Sequence, residues 1–298
     1  MTGGRAGLRG CRLKDRVEFS AFMALRFLAR VLPERVGELL GRGIGLLSYA
    51  ILGDRRATAL RNIRLALGLE GRDASAVAKA SFAHLGQVGV EMLRFAGKQR
   101  LFGERITVRG REHIDRALAE GRGVLLFTAH LGNWELLGHT LAGLGYRLHP
   151  IVQNQANSGF NNELDRLRRQ GGMQPIARGG TAVREVLRAL KGGDCVIIVA
   201  DQYAGRDGLV VPFFGRPAAT PRGLAVFARA TGAPVIPIFI HRTRPGYHEI
   251  HALPPFYQVK TDDAEADIRT CLERMNNQFE TVIRHYPGQW LWMHRRWK

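Results

Sequence analysis

The chain has little cysteine and no long uninterrupted apolar run, and both absences narrow its class. Among 298 residues only Cys11, Cys195 and Cys271 are cysteine. Three thiols, far apart and without partners at metal-ligand spacing, exclude a disulfide framework and point to a reducing compartment. The apolar stretch Phe19–Leu25 is cut by Arg26, with Arg30 and Pro33 beyond it, and Gly43–Gly53 is short. Neither reaches the roughly 18 uncharged residues of a comfortable single span. No small-residue cleavage site follows, as a secretory leader would require. These segments are expected to be two amphipathic helices lying in a membrane interface. A tilted span over 17–32, or helices that only cover the protein's own core, stay open as alternatives.

Acidic residues are also scarce. Forty-four Lys and Arg stand against 26 Asp and Glu, a net +18. Such a balance calls for an anionic partner. No zinc-finger, RNA-recognition or helix-turn-helix signature is present, so nucleic acid is not expected. The positive residues cluster: Arg5 to Arg16 before the first apolar segment, Arg55 to Arg64 after the second, and Arg295, Arg296 and Lys298 among Trp290, Trp292 and Trp297. Basic groups with tryptophans beside apolar helices suit a lipid headgroup layer.

What is present is a steady alternation of short apolar runs with helical patterns. Helices are expected over 57–68, 74–96, 133–143, 160–170, 181–190, 221–231 and 263–285; strands over 123–128, 146–152, 174–176, 195–200, 234–240 and 248–253. The fold class is therefore α/β, a mixed and mostly parallel sheet covered by helices, preceded by an amino-terminal membrane-associated helical segment. The expected divisions are a disordered basic tail at 1–16, a helical membrane-associating region at 17–100 and a catalytic region at 101–298.

The segment His130-Leu-Gly-Asn-Trp-Glu135 follows a buried strand and opens a helix. In open α/β sheets ligands gather at the carboxyl ends of strands. A carboxylate five residues on, in the first helical turn, can reach back to one imidazole nitrogen and fix its tautomer. The other nitrogen is then free to take a proton from an alcohol, itself a poor nucleophile near neutral pH. Asp201 ends the most apolar strand, where an unpaired carboxylate would be costly, so it is expected to hold a site role, paired with an arginine.

These residues resemble the H-x-x-x-x-[DE] motif of the lipid A biosynthesis lauroyl/myristoyl acyltransferases. Arg61-Asn-Ile-Arg-Leu65, Lys191-Gly-Gly-Asp194, Ala200-Asp-Gln202, Val211–Pro217 with Ala219-Thr-Pro221, and Gln289–Trp297 are similar to further blocks of that family, in family order. The resemblance implies transfer of an acyl chain, without a covalent intermediate, from an acyl-carrier-protein thioester or acyl-CoA. The acceptor would be a hydroxyl of an anionic glycolipid, a lipid A precursor of lipopolysaccharide biosynthesis. His130 would be the base and Glu135 its orienter, with no cofactor and no metal. It also implies a place on the cytoplasmic face of a bacterial inner membrane, as a monotopic protein or with one amino-terminal span.

Arg168 falls where the family carries a functional arginine, for a lipid phosphate or the oxyanion. Asn133, Asn154, Gln202 and Arg222 are further candidates for substrate binding or oxyanion stabilisation. Phe213 and Phe214 suit an acyl slot or core packing. The alternatives are a phosphatidylinositol mannoside or other glycolipid acyltransferase, a lipid hydrolase, and a non-enzymatic lipid-binding protein. No G-x-S-x-G nucleophile turn supports the hydrolase.

Overall fold

The computed structural model describes residues 13–95, 104–153 and 158–298. Four helices lead: α1 (Leu13–Val31), α2 (Glu34–Ile51), α3 (Gly53–Leu67) and α4 (Gly71–Phe95). After them come β1 (Ile106–Arg109), α5 (Arg111–Ala119), β2 (Val124–Thr128), α6 (Trp134–Gly143), β3 (Leu148–Val152) and α7 (Ser158–Gln170). The chain continues through β4 (Ile176–Ala177), α8 (Ala182–Lys191), β5 (Cys195–Val199), β6 (Leu209–Phe213) and β7 (Arg216–Thr220). It closes with α9 (Gly223–Thr231), β8 (Val235–Arg244), β9 (Tyr247–Ala252) and α10 (Ala264–His285).

Seven strands form one sheet in the order β1-β9-β8-β2-β5-β3-β4, while β6 and β7 pair as a separate antiparallel hairpin. Every pairing in the large sheet is parallel except β8 with β9. The mixed, mostly parallel α/β sheet expected from the sequence is thus the fold. The central strand β2 is buried at all five positions because both of its faces are covered. Leu125 and Phe127 point into the layer holding α10, where the Phe127 ring meets Phe279 edge-on at 5.5 Å. Val124 and Leu126 point into the opposite layer with Leu137 and Leu141 of α6. That two-sided burial explains why the strand reads as a continuous apolar run.

Three elements have no counterpart in the sequence reading. The strand β1 is only four residues long, and the short α5 follows it directly. The β6–β7 hairpin carries Pro212 and Pro217, which argue against a strand in a local reading. They are accommodated because this two-stranded ribbon has free edges. α1 already includes Leu13–Arg16, inside the stretch expected to be a disordered tail; residues 1–12 lie outside the described residues.

The amino-terminal helices are joined to the core rather than set apart from it. Ala59 and Ile63 of α3 and Ala74, Ala78 and Phe82 of α4 belong to the same core as β2 and α10. The helix α2 packs on α4 through glycine. A Cβ added at Gly45 would sit 2.1 Å from the Phe82 carbonyl oxygen, and one at Gly86 2.0 Å from the Gly41 carbonyl oxygen, so only glycine permits this backbone approach. The opposite face of α2 is apolar and open: Leu39, Leu47 and Ile51 are 67%, 61% and 67% exposed. Among the described residues no single helix is long and apolar enough to cross a membrane. The pair α2–α3, bent by 93°, reaches that length and composition together.

The tryptophans at the carboxyl end correct one expectation. Trp290, Trp292 and Trp297 are buried, and so is Arg296, so this segment lines the core instead of a headgroup layer. It is tied down from several sides. Asn62 donates to the carbonyls of Trp292 (2.9 Å) and His294 (2.7 Å), Arg61 to that of Trp297, and Arg296 to Ala219 O and Thr220 Oγ1, both at 2.7 Å. Phe213 and Phe214 are core residues in this cluster, with Phe213 stacked on Trp297 at 5.4 Å. Cys195 and Cys271 are unpaired and buried, and burial pushes each thiol up to about 12.

Candidate active site

The site is assembled by strand register. β2 and β5 lie side by side and parallel, with Thr128 opposite Val199. Both chains leave the sheet at the same level, so the residues two positions on, His130 and Asp201, arrive together. Asp201 accepts at Oδ1 from the His130 Nδ1–H across 2.7 Å, and at Oδ2 from the His130 backbone N–H across 2.9 Å. A third donor comes from the carboxyl-terminal segment: the Trp290 indole Nε1–H donates to Asp201 Oδ2 at 2.7 Å. The Asp201 side chain is 1% exposed and that of His130 20%. Burial alone would raise the Asp201 carboxyl. The nearby imidazole charge and the hydrogen bonds from His130 and Trp290 outweigh it, holding the group below the ordinary aspartate range.

An ionised Asp201 can only accept, so it selects the His130 tautomer protonated on Nδ1. The other nitrogen, Nε2, is left as an acceptor, with the Gln202 amide nitrogen 3.4 Å away. The Trp134 ring meets the imidazole edge-on at 4.9 Å. The turn between strand and helix is locked. The Gly132 N–H donates to Gln289 O at 3.1 Å and the Leu291 N–H to His130 O at 3.0 Å. Gly132 has φ +60°, and a Cβ there would lie 2.0 Å from the Ile240 carbonyl oxygen. Glycine is therefore required, both by the left-handed backbone and by the close strand.

Glu135 takes a different partner from the one its spacing suggests. Its carboxylate accepts a two-point contact from Arg168 of α7, with Nη2–Oε1 at 2.6 Å and Nε–Oε2 at 3.1 Å. Burial would raise the Glu135 carboxyl, but the Arg168 guanidinium holds it low; burial would lower Arg168, and Glu135 with Asp165 holds it high. The expected pairing of Asp201 with an arginine is likewise replaced: the arginine sits on Glu135 and the imidazole on Asp201. Sequence distance explains the exchange. Five residues along a tight turn point Glu135 toward α7, whereas the parallel register carries Asp201 across 71 positions to His130.

The other expected residues divide. Gln202 lies beside His130 as described. Asn133 caps α6, its Oδ1 accepting from Leu136 N at 3.0 Å while its amide donates to Glu91 at 2.9 Å. It is buried and occupied at both ends, so its expected role toward substrate gives way to that of a helix cap. Arg222 forms an ion pair with Glu265 at 2.5 Å, and no hydrogen bond joins it to His130. Asn154 lies outside the described residues. Trp290 and His294 went unread as site residues. His294 accepts from the Tyr203 N–H at 3.2 Å beside Gln202, and burial lowers its pKa. Nothing local to residues 290–294 announces this, because their partners lie about 90 residues away.

Behind the turn lies a second buried polar cluster. Glu91 of α4 takes Arg242 in a two-point contact, with Nη2–Oε2 at 2.8 Å, the Asn133 amide, and His248 Nε2 at 3.3 Å. His248 and Arg242 hold the carboxyl near 2 against the opposing effect of burial. The cluster joins α4 and β8 to the cap of the site helix.

Compared with known proteins, residues 11–298 match the bacterial lipid A biosynthesis acyltransferase family. The chain is 31% identical over 282 residues to a lipid A biosynthesis lauroyltransferase of Escherichia coli K12, covering 90% of this chain and 87% of that protein. It is 28% identical over 273 residues to a lipid A biosynthesis palmitoleoyltransferase of the same organism, covering 90% and 86%. A phosphatidylinositol mannoside acyltransferase of Mycolicibacterium smegmatis is 24% identical over 276 residues, covering 91% and 88%.

Proposed function

The chain belongs to the bacterial lipid A biosynthesis acyltransferase family, and from that premise we propose that His130 is its general base, positioned by Asp201. The observation that carries this reading is the Asp201–His130 contact at the adjoining ends of β2 and β5, completed by Trp290. In it, His130 Nε2 takes the proton of the acceptor hydroxyl as the oxygen attacks the carbonyl of an acyl thioester. The tetrahedral intermediate collapses, the C–S bond breaks, and the thiolate takes the proton back from His130. Asp201 stays ionised and stabilises the transient imidazolium, as the acid does in hydrolase triads.

Glu135 and Arg168 act as a pair in this scheme. Among the described residues, three of the five guanidinium donors of Arg168 go to Glu135 and Asp165, which leaves two for an oxygen of substrate or intermediate. Glu135 is then the group that orients Arg168. The donor in this proposal is an acyl-carrier-protein thioester or acyl-CoA. The acceptor is a hydroxyl of a lipid A precursor. A phosphatidylinositol mannoside-like glycolipid is the second reading, supported by relatives of that name.

The open apolar faces of α1 and α2, with Phe27, Val31, Leu39, Leu47 and Ile51 exposed, support docking on the cytoplasmic leaflet of the inner membrane. Residues 17–100 would supply the membrane-facing helices and 101–298 the chemistry. Purified protein given acyl donor with each acceptor lipid, and product mass spectrometry, tests the whole scheme. Transfer to a lipid A precursor is expected. Thioester loss at equal rates with and without acceptor would overturn it, since that is the behaviour of a hydrolase.

A further inference from the structure

On the face of the sheet that holds α10, strands β8 and β9 bring together a group that the acyl-transfer chemistry does not use. His241 of β8 pairs in register with Glu249 of β9, and His251 is two residues further along the same face. One ligand atom from each of the three lies within 4.8 Å of the others. His251 Nε2 and Glu249 Oε1 are already 3.0 Å apart. Ligands of a tetrahedral zinc ion, bound at about 2.0–2.1 Å, are separated by roughly 3.3 Å. With His241 fixed, the remaining gap would be closed by rotation of the partly exposed Glu249 and His251 side chains.

The surroundings favour a ligand role for His241. Its ring is buried and held flat between two others, stacked on Tyr286 at 4.0 Å and on His251 at 5.5 Å. Among the described residues neither of its ring nitrogens makes a hydrogen bond, and neither is among the fully enclosed unsatisfied atoms, so its nitrogens stay open toward solvent. Glu249 and His251 are partly exposed, so an ion can enter from solvent. Arg109 also pairs with Glu249 and would compete for the carboxylate.

We propose that His241, Glu249 and His251 form a site for a divalent ion of the zinc class, two imidazoles and one carboxylate clipping β8 to β9. Such a donor set suits Zn²⁺ and leaves a fourth position for water. The ion would brace β8 where its backbone at Ile240 and His241 abuts Gly132. It takes no part in acyl transfer, and the proposal does not depend on that reading.

Full-length protein, stripped with chelator and dialysed at pH 7.5 against Zn²⁺, is the test. One bound equivalent at micromolar free zinc is expected, with a rise in unfolding temperature. Loss of an outer partner of a metal site already costs about 10–100-fold in affinity, so His251→Gln and Glu249→Gln, whose side chains are partly exposed and whose folding is checked by circular dichroism, should each lose at least about tenfold. His113→Ala, at a half-buried position on α5, should bind as wild type, and Arg109→Gln should bind more tightly. Absence of stoichiometric zinc in the wild type, or binding retained by the His251→Gln, Glu249→Gln double variant, would overturn the proposal.

Discussion

Replacing Asp201 by Asn changes one oxygen to an amide nitrogen, with almost no change in volume. Asp201 accepts three hydrogen bonds, two at Oδ2 and one at Oδ1. If the Asn oxygen faces the His130 N–H and the Trp290 indole, its NH₂ faces His130 Nδ1. That nitrogen must then become the acceptor, and the ring proton moves to Nε2, where the base is needed. The opposite flip sets an NH₂ against two N–H donors in a pocket where the side chain is 1% exposed. The second arrangement would keep the base but at the cost of that clash, so the first is favoured, and it removes the base. By analogy with the acid of hydrolase triads, kcat should fall by about 10³–10⁴-fold, or about 4–5 kcal/mol of transition-state stabilisation. KM should change little, since Asp201 is shielded from solvent.

The assay is steady-state acyl transfer with product detection by mass spectrometry, alongside circular dichroism to show that the variant folds. Glu135→Gln is the comparison. It leaves the buried Arg168 with only the longer Asp165 contact at 3.2 Å as counter-charge, so it should lower stability by about 1–3 kcal/mol. Below its melting temperature, kcat should stay within about tenfold of wild type. The reasoning is refuted if Asp201→Asn keeps more than a tenth of wild-type kcat while a folded Glu135→Gln loses about a thousandfold. That outcome would return the orienting role to Glu135.

Gly132→Ala places a Cβ against the Ile240 carbonyl in a left-handed backbone, and should cost about 2–4 kcal/mol; a urea midpoint shift worth less than about 1 kcal/mol would show that the turn can relax. Leu39→Glu with Leu47→Glu removes two exposed apolar side chains from α2. At about 1.5–3 kcal/mol for each side chain fully buried, cosedimentation with anionic vesicles should fall at least about tenfold, and unchanged binding would rule out this face. His84 is pushed down to about 4 by burial. The unfolded chain binds that proton from about 6.5 downward, so its stabilising effect is complete above 6.5 and is lost as pH falls toward 4. Unfolding free energy should therefore drop by about 2 kcal/mol between pH 7 and pH 5 from this group, and His84→Gln should flatten the slope; an unchanged slope counts against it.

Much of the architecture was legible because it rests on local periodicity. β2 and β5 are apolar throughout, α10 repeats its buried residues at helical spacing, and α8 stops at two glycines. Gly132 marked a turn, and a histidine directly after a buried strand marked the end of the sheet where ligands gather. The hairpin at Leu209–Thr220 was not legible, because its prolines contradict the local signal for a strand. The close packing of α2 on α4 was not legible either, because it rests on which face Gly37, Gly41 and Gly45 present to a neighbour.

Residue order alone determined that His130 stands at a strand end with a carboxylate in the next helical turn. Which carboxylate contacts it was decided only in three dimensions. Helical spacing offered Glu135, but the parallel register of β2 and β5 delivers Asp201, and α7 brings Arg168 to claim Glu135. The carboxyl-terminal tryptophans read as surface residues beside charge, yet Trp290 donates to Asp201 from inside the core. The physical reason is common to both: a carboxylate buried at a sheet end must be satisfied by whatever donors the topology brings within about 3 Å, and sequence separation places no limit on which those are.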